Sequence, residues 1–479
     1  MEQQRHARRW RILALLGLAQ LMVVLDTTIV NIALPSAQHA LGFSDGARQW
    51  IVTGYALAFG SLLLLGGRIG DLLGRERTLI AGLLGFAGAS AVGGLAQSFA
   101  VLVAARALQG AFGALLAPSA LGLLTTTFTA PAERGKAFGI YGAIAGGGGA
   151  IGLLLGGLLT EYLSWRWCLY VNLAFAVPAA VGAVVLLGGR AQTARAAIDL
   201  PGTLAASAGV FALVFGFSKA QTRGWDDALT IGLLAAGVVL IAAFVAIERR
   251  VARPLLPLRV VADRNRGGAY LAAGLAAIGM FGVFLFLTYY LQQTLGFSPV
   301  RTGLAFLPMV AAVMVAATSS TAKLLPRVGP RLLIPTGMTL AALGMLMLTG
   351  IGVHSSYAGG VLPALLVTGL GFGLIMAPAM NTATLGVRPG DAGVASAMVN
   401  TAQQVGGSIG TALLSSIAAS AATSFLADGG APALAAVHSY TTAFAWAAAI
   451  FAASALVTGL LLRSGAPAHA PEGALAFAH

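Results

Sequence analysis

The chain has 479 residues, of which 58% are hydrophobic and 9% charged, and its formal net charge is +13. A soluble domain is about one quarter charged and just under half apolar, so the composition excludes a soluble or a disordered protein. The single cysteine, Cys168, excludes a secreted disulfide scaffold. We expect a polytopic protein of the lipid bilayer whose positive charge lies in cytoplasmic loops, with no nucleic-acid partner.

Fourteen apolar segments follow one another along the chain. Each is long enough to cross about 30 Å of hydrocarbon as a helix of roughly 20 residues. Strands are disfavoured, because an outer-membrane barrel shows alternation over about ten residues and not long apolar runs. The predicted spans are 12–34, 49–67, 79–97, 101–124, 136–159, 167–187, 200–218, 228–247, 268–291, 301–322, 332–351, 358–382, 393–419 and 440–462.

The basic N-terminal segment predicts the orientation of these spans. Arg5, Arg8, Arg9 and Arg11 precede the first span, and no small-residue cleavage site follows, so this span is retained and is not a signal peptide. With this end in the cytoplasm, most Lys and Arg residues of the other loops also fall on the cytoplasmic side. An even number of spans then places both termini in the cytoplasm.

One pattern occurs twice in the chain. Residues 112–118 read FGALLAP in the fourth span, and residues 372–378 read FGLIMAP in the twelfth. Chance similarity between Ala- and Gly-rich helices is the alternative to a true internal repeat, which is how many secondary transporters are built. The repeat predicts an N-terminal six-helix bundle over 1–190, an inserted helix pair with a basic loop over 191–266, and a C-terminal six-helix bundle with a short tail over 267–479.

Asp26 is the only acid placed deep in a predicted span. A charge there costs about 3 kcal/mol on insertion scales. Burial disfavours the charged form of a carboxyl group, which suits a residue that takes up and releases protons. A structural alternative is an Asp locked in an ion pair, with Arg106 as its partner, and the two interpretations are compatible.

Arg106 lies early in the fourth span. An intramembrane Arg stays charged, so it needs an anionic partner or water. We expect Arg106 to influence the protonation of Asp26 or to gate access to it. The alternative is a side chain that extends to the outer interface.

A charged loop joins the second and third spans, and residues 67–77 read GRIGDLLGRER. Its glycines allow close helix approach and a tight turn. Asp71 is expected at a helix start, where a carboxylate is favoured by the helix dipole, and it can pair with the arginines. An ordinary positive-inside loop is the alternative to a conformational latch. The candidate gating residues are Gly67, Arg68, Asp71, Gly74, Arg75 and Arg77.

The fifth span is rich in glycine. Small residues on one helix face let transmembrane backbones pack closely, and close packing and a bending hinge are both open interpretations. The positions singled out are Gly139, Gly148, Gly152, Gly156 and Gly157.

Polar side chains in apolar spans are candidates for a substrate site, because drug-sized sites combine apolar and aromatic walls with a few polar groups. Individually, each is more often a packing residue. The candidates are Asn31, Tyr55, Gln109, Tyr289, Tyr290, Gln292, Asn400 and Gln404, with Asn381 and Gln403 as further polar positions.

Enzyme signatures are absent from the sequence. No metal-ligand spacing of His with Cys or Glu occurs, and no phosphate loop of the Gly-x-x-x-x-Gly-Lys-Ser/Thr form occurs. We therefore expect no catalysis, no metal and no cofactor, and the energy for any transport must come from an ion gradient or from the substrate itself.

These motifs resemble those of the major facilitator superfamily, and specifically the fourteen-span drug:proton antiporters of the EmrB/QacA type. The resemblance extends from about Arg9 to Arg463. The motifs of the first helix, the 67–77 loop, the fourth helix and the fifth helix all match. So do segments typical of the fourteen-span group, at Trp165-Arg166-Trp167 with Asn172, at Asp199-Leu200-Pro201-Gly202, at Glu248-Arg249-Arg250 with Pro254-Leu255, and at Tyr290-Leu291-Gln292 through Gly296-Phe297-Ser298.

The resemblance implies the major facilitator fold and a role for Asp26 and Arg106 in proton coupling. Two departures weaken the match. Leu153 stands where the antiporter motif of the fifth helix has Pro, and Pro326 stands where a second copy of the loop would place its Asp.

We expect a proton-coupled exporter of amphipathic drugs or antibiotics in the bacterial inner membrane, working by alternating access, and functioning as a monomer, as is usual for this superfamily. A proton-coupled importer or facilitator of a small metabolite is the alternative that Leu153 keeps open. A non-transporting membrane sensor is a more distant one.

Overall fold

The computed structural model describes residues 2–43, 45–187, 199–251 and 254–463. Throughout these ranges the regular structure is helical, and no strand occurs in them. This agrees with the predicted all-helical class. Several helices are longer than the predicted spans, because they continue past the apolar core into polar ends, whereas α6 has the predicted bounds, Trp167–Leu187. The first helix, for example, covers Glu2–Leu41 where 12–34 was predicted.

The first six helices are joined by short turns. Gly74, at φ 99°, separates α2 from α3 in a backbone conformation that favours glycine. Ser98 begins α4 by accepting a hydrogen bond from the Val101 amide. The bounds are α1 (Glu2–Leu41), α2 (Asp45–Leu73), α3 (Arg75–Gly94), α4 (Phe99–Thr127), α5 (Pro131–Tyr162) and α6 (Trp167–Leu187).

Two long helices, α7 (Leu200–Arg223) and α8 (Ala228–Glu248), form a hairpin between the first and last groups of helices. The Asp199 carboxylate accepts from the Gly202 amide at 3.1 Å and starts α7. The Glu248 carboxylate accepts from the amides of Leu255 and Leu256, at 3.1 Å each, and orders the loop that follows. Asp199 and Glu248, which lie in segments typical of the fourteen-span group, therefore order the two ends of the hairpin.

The remaining helices include three short π-helical turns, at Tyr290–Thr294, Ser320–Leu324 and Tyr357–Val361. Gly329, at φ 73°, separates α12 from α13 as Gly74 separates α2 from α3. The bounds are α9 (Leu258–Ala262), α10 (Arg264–Tyr289), α11 (Pro299–Ser319), α12 (Leu325–Val328), α13 (Pro330–Leu348), α14 (Leu362–Thr384), α15 (Ala392–Ala427) and α16 (Pro432–Leu461).

Thirteen helical segments of the described chain are long and apolar enough to cross a membrane, and α5 supplies a fourteenth if its two arms count as one span. The arms, Glu133–Gly149 and Ile151–Tyr162, meet at 43°. The number of spans is thus thirteen to fourteen, against fourteen predicted.

The helices pack in two groups. Helices α1–α6 contact one another, and helices α10–α16 contact one another. The groups meet where α5 packs on α11 and α14 and where α2 and α4 pack on α15. Helix α7 lies in the seam between α2 and α15, with Val210 and Val214 against Leu57. Much of α8 beyond its contact with α7 is exposed and apolar, as expected for a lipid-facing surface.

Candidate functional site

Asp26 is fully buried on α1 and accepts hydrogen bonds at both carboxylate oxygens. Oδ2 accepts from Arg106 Nη1 at 2.6 Å, and Oδ1 accepts from Gln109 Nε2 at 3.0 Å and from Asn172 Nδ2 at 2.8 Å. Helices α1, α4 and α6 thus supply one polar cluster inside an apolar bundle. A buried carboxylate with this many donors is compensated in its charged form.

Arg106 is 1% exposed, so the interpretation as a side chain reaching the outer interface is wrong. Its Nη1 also donates to Gln109 Oε1 at 2.9 Å, its Nε donates to the Ile51 carbonyl at 3.3 Å, and its guanidinium lies 4.4 Å from the Tyr55 ring centroid. Charge pairing, carbonyl contact and a cation–π contact together replace the water that an arginine would otherwise hold.

Gln109 and Tyr55, predicted as substrate contacts, belong to this cluster. Gln109 Nε2 also donates to Ser90 Oγ at 2.7 Å, which brings α3 into the network. Neither Ser90 as a partner of Gln109 nor Asn172 as a partner of Asp26 is predicted by the sequence. Asn172 lies in a recognised motif, but a motif does not say which residue a side chain meets, and Ser90 is an ordinary small residue in an apolar helix.

Asp71 lies in the last turn of α2, so the prediction that it begins a helix of its own is wrong. Its Oδ1 accepts from Arg75 Nη2 at 2.6 Å. Its two oxygens also accept from the amides of Gly393 and Val394, at 3.0 and 3.2 Å. The carboxylate therefore caps the start of α15, in the other group of helices, where the helix dipole favours a negative charge.

The other residues of the 67–77 loop lie around this contact. A Cβ at Gly67 would come within 2.7 Å of the Gly393 carbonyl oxygen, so only glycine fits at that crossing of α2 and α15. Arg68 is partly buried and its Nε has no hydrogen-bond partner, whereas Arg77 is exposed. Gly74 makes the turn into α3.

A second contact joins the two groups at the same end of the molecule. Arg134 on α5 is 6% exposed and donates to Asn381 Oδ1 at 2.8 Å and to Thr384 Oγ1 at 2.9 Å, both on α14. Its guanidinium lies 4.4 Å from the Phe138 ring centroid. Arg134 lies between the fourth and fifth predicted spans, and nothing in its local sequence pattern predicts burial. We call this end of the molecule, with Asp71 and Arg134, the basic end.

Four of the predicted glycines of α5 face neighbouring helices. A Cβ at Gly139 would meet Thr321 Oγ1, in the π-helical turn that follows α11, at 2.7 Å. At Gly148 it would meet Val24 of α1 at 2.9 Å, and at Gly156 it would meet Ile29 of α1 at 2.9 Å. Gly152 faces Thr28, and Gly157 is buried. Packing and bending therefore occur together, and the bend forms although Leu153 replaces the expected Pro.

The other candidate substrate contacts are dispersed. Tyr290 is buried and its hydroxyl donates to the Gly352 carbonyl at 2.8 Å, whereas Tyr289 is 42% exposed and Gln292 is half-buried. Asn400 Nδ2 donates to the Ser396 carbonyl of its own helix at 3.0 Å. Gln404 lies across the seam from Gly60.

The side chain of Asn31 lies outside the described residues. Among the residues that are described, no group of three or more His, Cys, Asp or Glu could hold a metal ion.

The sequence was compared with protein families and with known proteins. The family model described as Major Facilitator Superfamily matches residues 16–411. The chain is 51% identical to the puromycin resistance protein of Streptomyces alboniger, over 95% of this chain and 92% of that one. It is 40% identical to the cephamycin export protein of Amycolatopsis lactamdurans, over 92% and 90%.

A solved structure shows the same fold. The crystal structure of the human organic anion transporter MFSD10 matches with a TM-score of 0.63 at 15% identity, over 94% of this chain and 99% of that one. The family match, the relatives and the helical architecture agree, and the chain is a multi-pass membrane protein that belongs to the major facilitator superfamily.

Proposed function

We propose that this protein exports amphipathic small molecules of the antibiotic class in exchange for protons. Two similar proteins are named for puromycin resistance and cephamycin export, and a third, 36% identical, is named a lincomycin resistance protein. The observation that carries proton coupling is the buried cluster in which Asp26, within the span Ala7–Val30, meets Arg106 at 2.6 Å.

The cluster provides a physical basis for coupling. With Asp26 ionised, its charge is matched by Arg106. A proton on Asp26 removes that match and leaves a buried guanidinium with the Gln109 and Ile51 carbonyls and the Tyr55 ring. The free energy of the bundle then depends on protonation, and any conformation that hydrates Arg106 is favoured by proton uptake.

The orientation is part of the proposal. With both termini in the cytoplasm of a bacterial cell, the basic end faces the cytoplasm, and the Asp71 and Arg134 contacts close the molecule on that side. Opening this end and closing the other around a midplane site would move substrate outward. A protein that acts alone, as a monomer, needs no further partner for this cycle.

Cationic recognition by a carboxylate is not part of the proposed substrate site. Asp26 is the acid deep in the described spans, and its oxygens are occupied by Arg106, Gln109 and Asn172. We therefore expect substrates to be held by apolar surface and neutral hydrogen bonds.

The experiment uses inside-out membrane vesicles with an acidic interior and a pH-sensitive dye. Puromycin, a cephamycin and lincomycin are added in turn. We expect at least one of them to release the gradient in wild type and none to do so in Asp26→Asn. Asp428→Asn makes the same chemical change at an exposed position and should behave as wild type.

Two results would count against the proposal. Equal drug-driven proton movement in wild type and Asp26→Asn would exclude Asp26 as the coupling group. Uptake of the same drugs into whole cells, with no extrusion, would favour the importer alternative.

A further inference from the structure

The side-chain amides of Gln109 and Asn172, which both donate to Asp26, differ in how many of their polar atoms have hydrogen-bond partners. Both polar atoms of the Gln109 amide have partners, because its oxygen accepts from Arg106 and its nitrogen donates to Asp26 and Ser90. Rotating it would place its amino group against the Arg106 guanidinium and its oxygen against the Asp26 carboxylate. Gln109 therefore holds one orientation.

Only one of the two polar atoms of the Asn172 amide has a hydrogen-bond partner. Its Nδ2 donates to Asp26 Oδ1 at 2.8 Å, while its Oδ1 is buried and has no hydrogen-bond partner. The residue is fully buried. A buried polar atom without a partner costs free energy, and such atoms are uncommon in folded proteins. The unused oxygen of Asn172 lies on a side chain that already touches the proposed proton-binding group.

We propose that Asn172 is a reversible partner of Asp26, donating to the ionised carboxylate and, after rotation of its amide, accepting from the protonated acid. The inference rests on the proposed proton coupling. Each orientation leaves one polar atom of Asn172 unpartnered, so the two orientations are balanced and neither protonation state of Asp26 is locked.

The need for such a partner follows from donor and acceptor chemistry. A protonated carboxyl group has an O–H that must meet an acceptor when buried. Arg106 offers only donors, and Gln109 presents its amino group to Asp26. Among the described side chains, the titratable or charged groups around Asp26 are Arg106 from α4 and Tyr55 from α2.

The Tyr55 hydroxyl is the competing candidate, because it too is buried without a hydrogen-bond partner. Its ring lies against the Arg106 guanidinium, 4.4 Å from the centroid, and against the stacked ring of Phe59, 5.6 Å away. The Tyr55 hydroxyl makes no hydrogen bond to Asp26, whereas the amide of Asn172 already contacts Asp26 and needs only to turn about a single bond.

The test is infrared difference spectroscopy of the purified full chain in liposomes across a pH series. The difference between wild type and Asp26→Asn isolates the carbonyl stretch of protonated Asp26. In Asn172→Leu, which keeps the side-chain shape and removes both polar atoms, we expect that band to move to higher frequency. Drug-driven proton movement should slow on the order of tenfold, since each cycle leaves an Asp26 group unpartnered.

Two further variants sharpen the result. Tyr55→Phe should leave the band in place. Asn172→Ser serves if the Leu variant does not fold, and it should shift the band in the same direction because its hydroxyl is too short to reach Asp26. Melting temperature and elution volume report folding for every variant.

The outcomes separate the two proposals. A band that stays in place in both Asn172 variants, or that moves in Tyr55→Phe, overturns the role of Asn172 while leaving proton coupling through Asp26 intact. No band at any pH in wild type means that Asp26 does not take up a proton, and the proposed coupling itself fails.

Discussion

At the scale of single residues, the Asp26–Arg106 pair is the feature on which the proposed function depends. Two buried charges cost desolvation that their attraction repays only with good geometry and further hydrogen bonds. Here the 2.6 Å contact is supported by Gln109, Asn172 and the Ile51 carbonyl. Charged residues are rare inside the predicted spans, and this rarity alone singles out Asp26 and Arg106 in the sequence.

Removing one charge of the pair should be more harmful than removing both. We expect Arg106→Gln to lower the free energy of unfolding by about 3–5 kcal/mol, because Asp26 is left charged and unpaired. Asp26→Asn/Arg106→Gln should recover most of that loss. Thermal unfolding of the purified proteins in detergent measures the difference. A double variant no more stable than Arg106→Gln would show that the side chains do not compensate each other.

At the scale of helices, α5 shows how glycine determines packing. Its glycines contact α1 on one side and α11 with the π-helical turn that follows it on the other, so the glycine positions of α5 let it lie close to two neighbours. Thr321 Oγ1 also donates to the Gly135 carbonyl, which places a hydrogen bond in the same contact. The bend of 43° within this helix then needs no proline.

Glycine replacement should distinguish packed from open positions. Gly139→Ala places a methyl group 2.7 Å from Thr321 Oγ1 and 2.8 Å from Thr318 Cα, and we expect it to destabilise the protein by about 1–3 kcal/mol. Gly88→Ala is the matched control, since no atom lies within 4 Å of its added Cβ. Alanine there should be neutral or slightly stabilising, by up to about 1 kcal/mol. Equal melting temperatures for the two variants would argue against close packing at Gly139.

At the scale of the whole molecule, two seams between the helix groups are held at the basic end by different chemistry. The α2–α15 seam uses the Asp71 carboxylate on backbone amides, and the α5–α14 seam uses the Arg134 guanidinium on Asn381 and Thr384. Helix α7 follows the first seam, and Trp225, beyond its end, donates to Ser416 Oγ on α15 at 3.0 Å. The Arg259–Asp391 pair, at 2.6 Å, connects the short helix α9 to the residue before α15.

Weakening either seam should open the basic end. A cysteine introduced at Ala397, which is buried and faces Gly67, reports opening through its alkylation rate. Background is low because the native Cys168 is buried. We expect Asp71→Asn and Arg134→Gln each to raise the rate several-fold, and the double variant to raise it further, since the seams lie apart.

The control variant loses a positive charge, as Arg134→Gln does, but at a residue that does not bridge the two helix groups. Arg264→Gln deletes a guanidinium that contacts the Leu461 carbonyl at 2.6 Å within one helix group. Its alkylation rate should match that of the parent protein. A rate unchanged in both seam variants would show that Asp71 and Arg134 do not hold the end closed.

The sequence by itself determined the class, the approximate spans and the two charged residues of the cluster. Long apolar runs can be satisfied in a bilayer only as helices, and a charge inside such a run is costly enough to stand out. The expectation of an inserted helix pair between two groups of six helices, and the glycine-rich α5, also follow from local pattern and resemblance. The division into bundles remains a prediction.

The tertiary structure decided which side chains meet. Ser90, Asn172 and Arg134 have no local signal that names their partners, because each partner lies on another helix, and for Asn172 and Arg134 that helix is distant in the chain. The same reason explains why Asp71 caps α15 and not a helix beside it. Composition and spacing specify what enters the membrane, whereas the crossing of helices specifies the contacts of each buried polar group, and those contacts carry the proposed chemistry.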